Sequence, residues 1–100
     1  MTDRKFFWTV PTDHPAFPGH FPGHAILPGV VILDHVLRCA GELQGGIDAC
    51  WQVNTAKFFS PVGPGEALTF SLQPRPSGRI AFAVRAGTRD VALGNLAAYA

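Results

Sequence analysis

The chain has 100 residues, the length of one domain, and only 15% of them are Asp, Glu, Lys or Arg, where roughly 25% is usual. A monomer of this size buries only about 60–70% of the surface its unfolded chain exposes. With 47% hydrophobic residues the side chains are short of polar material for a fully wetted surface, and a homo-oligomer is expected. Eight basic against seven acidic residues, net +1, remove the usual electrostatic case for nucleic acid or an anionic membrane as the partner.

In chain order, Met1-Thr2-Asp3-Arg4-Lys5 precedes the apolar group Phe6-Phe7-Trp8. That group is far shorter than the about 7–15 residues of a signal-peptide core or the about 18 of a membrane span, and a cytoplasmic location is expected. Lys5 to Val10 reads as a first strand. Pro11, Pro15, Pro18, Pro22 and Pro28 then crowd one segment. Proline fixes φ and its predecessor avoids the helical region, so this segment is a stiff, shaped excursion and not a helix.

The run from Val30 to Leu43 is the one long helix predicted, with Pro28 before it and glycines at 41, 45 and 46 to end it. Its apolar residues nearly surround the axis, which predicts a buried helix. Downstream, Trp51 to Phe59, Leu68 to Gln73, Arg79 to Arg85 and Val91 to Tyr99 read as strands, separated by Pro61-Val62-Gly63-Pro64-Gly65, Pro74-Arg75-Pro76-Ser77-Gly78 and Gly87-Thr88-Arg89-Asp90. The order β, long loop, α, four β closes most simply as an α+β fold: an antiparallel sheet of about five strands wrapped around one long buried helix. Residues 1–100 read as a single domain.

Three features carry chemistry. Asp34 is a carboxylate inside the most apolar helix, and burying a charge requires pairing, hydrogen bonding or a raised pKa. The ordinary alternative is an i,i+4 pair with Arg38. Four histidines, His14, His20, His24 and His35, lie within one stretch. His20 and His24 have the spacing of a zinc pair on a helix, but Pro22 and Gly23 between them forbid that helix, and no metal site is assigned. His20 sits centrally in Phe17-Pro18-Gly19-His20-Phe21-Pro22-Gly23, where a polar side chain has little freedom. Third, Pro28-Gly29 opens the helix, whose first amides lack internal partners and carry the positive end of the dipole. Cys39 and Cys50 lack CxxC spacing; disulfide, catalytic thiol and buried small hydrophobe are the alternatives, with the last favoured.

The stretch from His14 to Asp34, with His20-Phe21-Pro22-Gly23-His24, Pro28-Gly29-Val30 and Leu33-Asp34, resembles the signature of the β-hydroxyacyl-acyl-carrier-protein dehydratases, a hot-dog-fold family. Ala56-Lys57-Phe58-Phe59-Ser60-Pro61-Val62-Gly63-Pro64-Gly65-Glu66 is similar to the family's strand-to-turn segment. The resemblance covers nearly the whole chain. It implies a single hot-dog domain with His20 as the catalytic histidine, Asp34 as the catalytic acid and Gly29 as the backbone amide donor. In the family the histidine and the acid facing one substrate come from different protomers. His35 stands where a small residue is usual in the family, and Arg38 stands near a common glutamine position.

The implied reaction removes water from a β-hydroxyacyl thioester, linked to a carrier protein or to CoA, giving a trans-2-enoyl thioester in fatty-acid or related acyl-chain biosynthesis. His20 would act as base, Gly29 would stabilise the thioester oxygen, and Asp34 of a second protomer would protonate the leaving hydroxyl. The thioester is its own electron sink, so no cofactor is expected. Phe21, Val30, Leu33 and Phe59 are the expected acyl-binding residues. The alternatives are a hot-dog thioesterase, which would direct water at the thioester carbonyl, and a catalytically silent acyl-binding domain.

Overall fold

Strict side-chain alternation in the C-terminal half becomes the centre of a sheet. The computed structural model describes residues 3–17, 26–44 and 51–98. Strands β3 (Ala67–Pro74) and β4 (Ile80–Ala86) bury every second residue, and their antiparallel register sets Phe70 opposite Val84 and Leu72 opposite Phe82. Period-two apolar patterning puts all of these on one face. Strand β1 (Arg4–Thr9) adds to the outer side of β3, with Phe6 opposite Phe70 and Trp8 opposite Leu68. Strand β5 (Arg89–Ala98) pairs with β4, and β2 (Trp51–Phe58) pairs with β5. The five strands run antiparallel in the order β1-β3-β4-β5-β2.

That order has a topological consequence. β2 precedes β3 in the chain but lies at the opposite edge of the sheet, so residues 59–66 must traverse its end. Phe59 N–H donates to the Val91 carbonyl at 2.8 Å on one side. On the other, Val10 N–H donates to Glu66 O and Gly65 N–H to Val10 O, both at 2.9 Å. Gly65 takes a φ of +80°, a left-handed conformation that glycine adopts without the Cβ penalty. Gly94 serves a different purpose: a Cβ there would collide with the Thr55 carbonyl and the Phe82 ring. It lets β2, irregular between Val53 and Thr55, close onto β5.

The one long helix among the described residues, α1 (Gly29–Gln44), packs against β3 and β2. Ile32, Val36, Cys39 and Ala40 are buried beneath it with Leu68, Phe70, Leu72, Phe82, Val84 and Leu96. Fully burying such an aliphatic or aromatic side chain contributes about 1.5–3 kcal/mol. Val10, Phe17, Leu27 and Val62 close the ends of this core. The architecture is the expected one, with one refinement. Val30, Asp34, Arg38 and Glu42, spaced four apart, form an exposed row down the helix, so within one chain the helix is covered along one side rather than all round. Cys39 is a free thiol, buried against the sheet, and burial pushes its pKa up to about 11. It therefore stays protonated at neutral pH and is a small hydrophobe rather than a nucleophile. Cys50 lies outside the described residues.

Candidate active site

The start of α1 is where backbone, aromatic and loop converge. Ile26 to Pro28 enter the helix beside the crossing loop, and Leu27 N–H donates to the Val62 carbonyl at 2.7 Å. Val31 N–H bonds back to Pro28 O at 3.0 Å, which tightens the first turn. Its leading amides have no partner within the helix. Phe58, the last residue of β2, is held on the helix side of the sheet by its register with Ala92. Its ring lies so close to Gly29 that a Cβ there would meet ring carbon Cζ at 2.9 Å. Leu27, Gly29, Ile32 and residues 58–62 line a cavity of about 370 Å³ at this point. Its lining is mostly apolar and includes Gly29, the first residue of α1, a combination suited to an acyl chain whose carbonyl oxygen needs a donor.

Of the residues singled out from sequence, Gly29 and Phe59 meet at this cavity. Val30 does not line it and is 71% exposed, while Leu33 is partly buried against the core. His20 and Phe21 lie outside the described residues, as do His24 and the turn residues around them. Asp34 departs from expectation. Instead of being buried, its carboxylate projects from the outer row of α1 and forms an ion pair with Arg38, Oδ2 lying 3.1 Å from Nε, with the two side chains 62% and 75% exposed. The i,i+4 pairing offered as the alternative is the one found. The physical reason is that a nearly all-apolar helix on a single sheet still presents one row to solvent, and the charged residues occupy it.

Phe58 and Leu27 were not anticipated. The signal for Phe58 is its place beside Phe59, itself an expected acyl-binding residue, in an adjacent aromatic pair at the strand end. His35, at the position where the family usually has a small residue, points inward. It stacks on Trp8 with ring centroids 4.2 Å apart and planes 18° apart, and lies 5.0 Å from the Phe70 ring. Burial, followed by the Arg38 charge, holds its pKa below the ordinary value, against opposing contributions from Asp34 and Glu42. The imidazole thus occupies an aromatic slot as a neutral ring.

A five-stranded antiparallel sheet with one long helix across it, and a cavity at that helix's N-terminus, defines a hot-dog-fold protein. The chain belongs to the ApeI-like family, described as ApeI dehydratase, which it matches over residues 2–95. It is 35% identical over 80 residues to the 3-hydroxyacyl-acyl-carrier-protein dehydratase FabZ of Aliarcobacter butzleri, covering 68% of this chain and 54% of that one. With the protein of the same name from Chlamydia trachomatis serovar L2 it shares 37% over 100 residues, covering 87% and 65%. The chain therefore spans between about half and two thirds of the length of these curated relatives. Among solved structures, the dehydratase heterocomplex ApeI:P from Xenorhabdus doucetiae has the same fold, with a TM-score of 0.85 at 21% identity over 98% of this chain and 88% of that one. Among the described residues no helix is long and apolar enough to cross a membrane.

Proposed function

We infer that the protein is a hydro-lyase that removes water from a β-hydroxyacyl thioester, carried on acyl carrier protein or CoA, to give a trans-2-enoyl thioester in acyl-chain biosynthesis. The observation that carries the reading is the Gly29 helix terminus set against Phe58 at an acyl-sized cavity, in a chain that belongs to a dehydratase family. Neutral His20 takes the proton from the carbon beside the thioester carbonyl. Negative charge growing on the thioester oxygen is met by the Gly29 amide. Asp34 of a second protomer gives its proton to the β-hydroxyl as the C–O bond breaks, so the hydroxyl leaves as water, and proton exchange with solvent restores both groups. No cofactor takes part.

The exposure of Asp34 bears on this assignment. A catalytic acid must be held against its substrate, and on the outward row of α1 that requires a second protein surface over Asp34. Val30, one turn before it, and the edge strand β2, whose one strand partner among the described residues is β5, supply the apolar and hydrogen-bonding surface a second copy would cover. On this reading the protein is a homodimer with its sites at the protomer interface. The solved heterocomplex of the same fold makes association with a second dehydratase chain the other arrangement to test. In the same reading Phe59, which lines the cavity, flanks the acyl chain, with Phe21 and Leu33 as further contacts, while Val30, exposed on α1, belongs to the surface a second copy would cover. Residues 1–100 act as one hot-dog domain in the cytoplasm.

The test is turnover of carrier-protein-linked and CoA-linked β-hydroxyacyl thioesters, followed as the enoyl product, together with light-scattering mass in solution. Dehydration by an oligomer, lost on His20→Ala, is expected. Release of free thiol without enoyl product would make the protein a thioesterase instead, and binding without turnover would make it an acyl-binding domain.

A further inference from the structure

The crossing loop contains the second half of the Ala56-to-Glu66 motif, and to its residues Ser60 to Glu66 dehydration chemistry gives no task. Its side chains are tied by one residue from outside the motif. Arg89, the first residue of β5, donates from Nη2 to Glu66 Oε1 at 2.7 Å and to the Pro61 carbonyl at 3.1 Å, and from Nε to Ser60 Oγ at 3.1 Å. Glu66 uses its other oxygen, Oε2, to accept from Gly63 N–H at 2.7 Å. Ser60 Oγ in turn donates to the Asp90 carbonyl at 2.7 Å. A forked guanidinium is the side chain that can reach three acceptors in fixed geometry.

The part of the loop so held is a partition. Residues 60–62 line the cavity at Gly29 on one side. On the other they line a second cavity of about 350 Å³, completed by Ile26, Gly63, Glu66 and Arg89. The hydrogen bond from Leu27 to Val62 ties the same partition to the segment entering α1. We propose that Arg89 and Glu66 form a latch that holds the 60–62 partition in place, making Arg89 a positioning residue that sets which acyl chains the site accepts. With the latch closed, the acyl cavity ends at the partition. Once it is released, the partition swings and the two cavities join, admitting longer or bulkier chains.

An exposed ion pair by itself contributes little to stability, and the 46% and 27% exposure of these two side chains would ordinarily end the matter. Here the pair does more than attract. Glu66 bridges a loop amide and the guanidinium, so removing either partner frees several loop contacts at once. The Gly63 amide, and then Arg89, hold the Glu66 carboxyl below the usual carboxylate range, so the latch is charged and closed at neutral pH.

The identity of the ligand as an acyl thioester rests on the proposed function; the latch does not. The test compares Arg89→Ala, Arg89→Lys and Glu66→Gln with the unmodified full-length protein. The first readout is kcat/KM on short and long β-hydroxyacyl thioesters; the second is amide hydrogen exchange at Leu27 and Gly63. Arg89→Ala should raise the long-to-short ratio at least about tenfold, the scale on which a hydrophobic pocket distinguishes chain lengths. Exchange at Leu27 and Gly63 should quicken while amides within β4 stay protected. Arg89→Lys, which keeps the charge without the fork, should fall between, and Glu66→Gln should follow Arg89→Ala. An unchanged ratio, or activity falling equally for all chains in step with melting temperature, would overturn the proposal. If the unmodified protein dehydrates nothing, the proposed function fails. The latch is then decided by the exchange data and by relative binding of short and long S-alkyl pantetheines, which Arg89→Ala should shift in the same direction; no shift overturns it.

Discussion

The ring of Phe58 covers Gly29 so closely that a methyl group at residue 29 would stand 2.9 Å from its Cζ. A strand end and a helix start, 29 residues apart in sequence, are thereby fitted face to face, with the acyl-sized cavity beside them. Gly29 is small for a reason of contact, and the contact is with a side chain that can move.

Gly29→Ala should therefore separate stability from activity. Alanine favours helix over glycine by up to about 1 kcal/mol, and Phe58, itself partly exposed, can swing aside. The melting temperature should stay close to that of the parent, while the displaced ring enters the cavity and lowers kcat/KM at least about tenfold. Calorimetry and enoyl-thioester kinetics check the two halves; a variant that melts early with undiminished kcat/KM would contradict the placement of the site.

The Asp34–Arg38 pair should matter little for folding. Both side chains are mostly exposed, and such i,i+4 pairs are worth about 0.3–0.5 kcal/mol. Arg38→Ala and Asp34→Asn should each unfold in urea within that margin of the parent. Asp34→Asn should nonetheless reduce dehydration by about 10²–10⁴-fold, the usual yield of a positioned acid. Arg38→Ala should leave most of it.

His35 gives the protein an acid-sensitive element. Its folded pKa lies below the ordinary value of 6.5 because burial disfavours the charged ring, so the unfolded chain binds the extra proton more readily. Stability from this residue is complete above about pH 6.5 and declines as pH falls from there toward the folded pKa. His35→Phe keeps an aromatic ring between Trp8 and Phe70 and removes the titration. Melting temperature measured from pH 7 to pH 5 should fall for the parent and fall less for the variant. Glu66, whose folded pKa is also lowered, retains its stabilising effect above its ordinary value of 4.5 and loses it only at lower pH.

Gly94→Ala tests how β2 is joined to the sheet. The added methyl meets the Thr55 backbone carbonyl and the Phe82 ring, and a backbone atom cannot swing away as Phe58 can. A loss of about 1–3 kcal/mol is expected from such overpacking. Hydrogen exchange should quicken along the β2–β5 ladder before the β3–β4 ladder.

Strand and helix boundaries were legible because each depends on local period. Leu68, Phe70 and Leu72 alternate with polar neighbours whatever lies opposite, and Pro28 with the glycines after Leu43 brackets a helix wherever it packs. The histidine, the acid and the helix-terminal glycine were likewise readable as motif residues, since their spacing is a property of the chain. The outward row Val30-Asp34-Arg38-Glu42 was readable in principle from its four-residue spacing, but its apolar flanks masked it.

The amino-acid order alone thus determines the elements of this protein and the family to which they belong. It does not determine which elements lie side by side. That β2 crosses to the far edge of the sheet, that Phe58 reaches Gly29, and that Arg89 reaches Glu66 from a different strand are outcomes of burying one continuous apolar face. Sheet order is settled by long-range packing free energy, to which local periodicity is blind. The cavity, the partition and the latch exist only once that packing is complete.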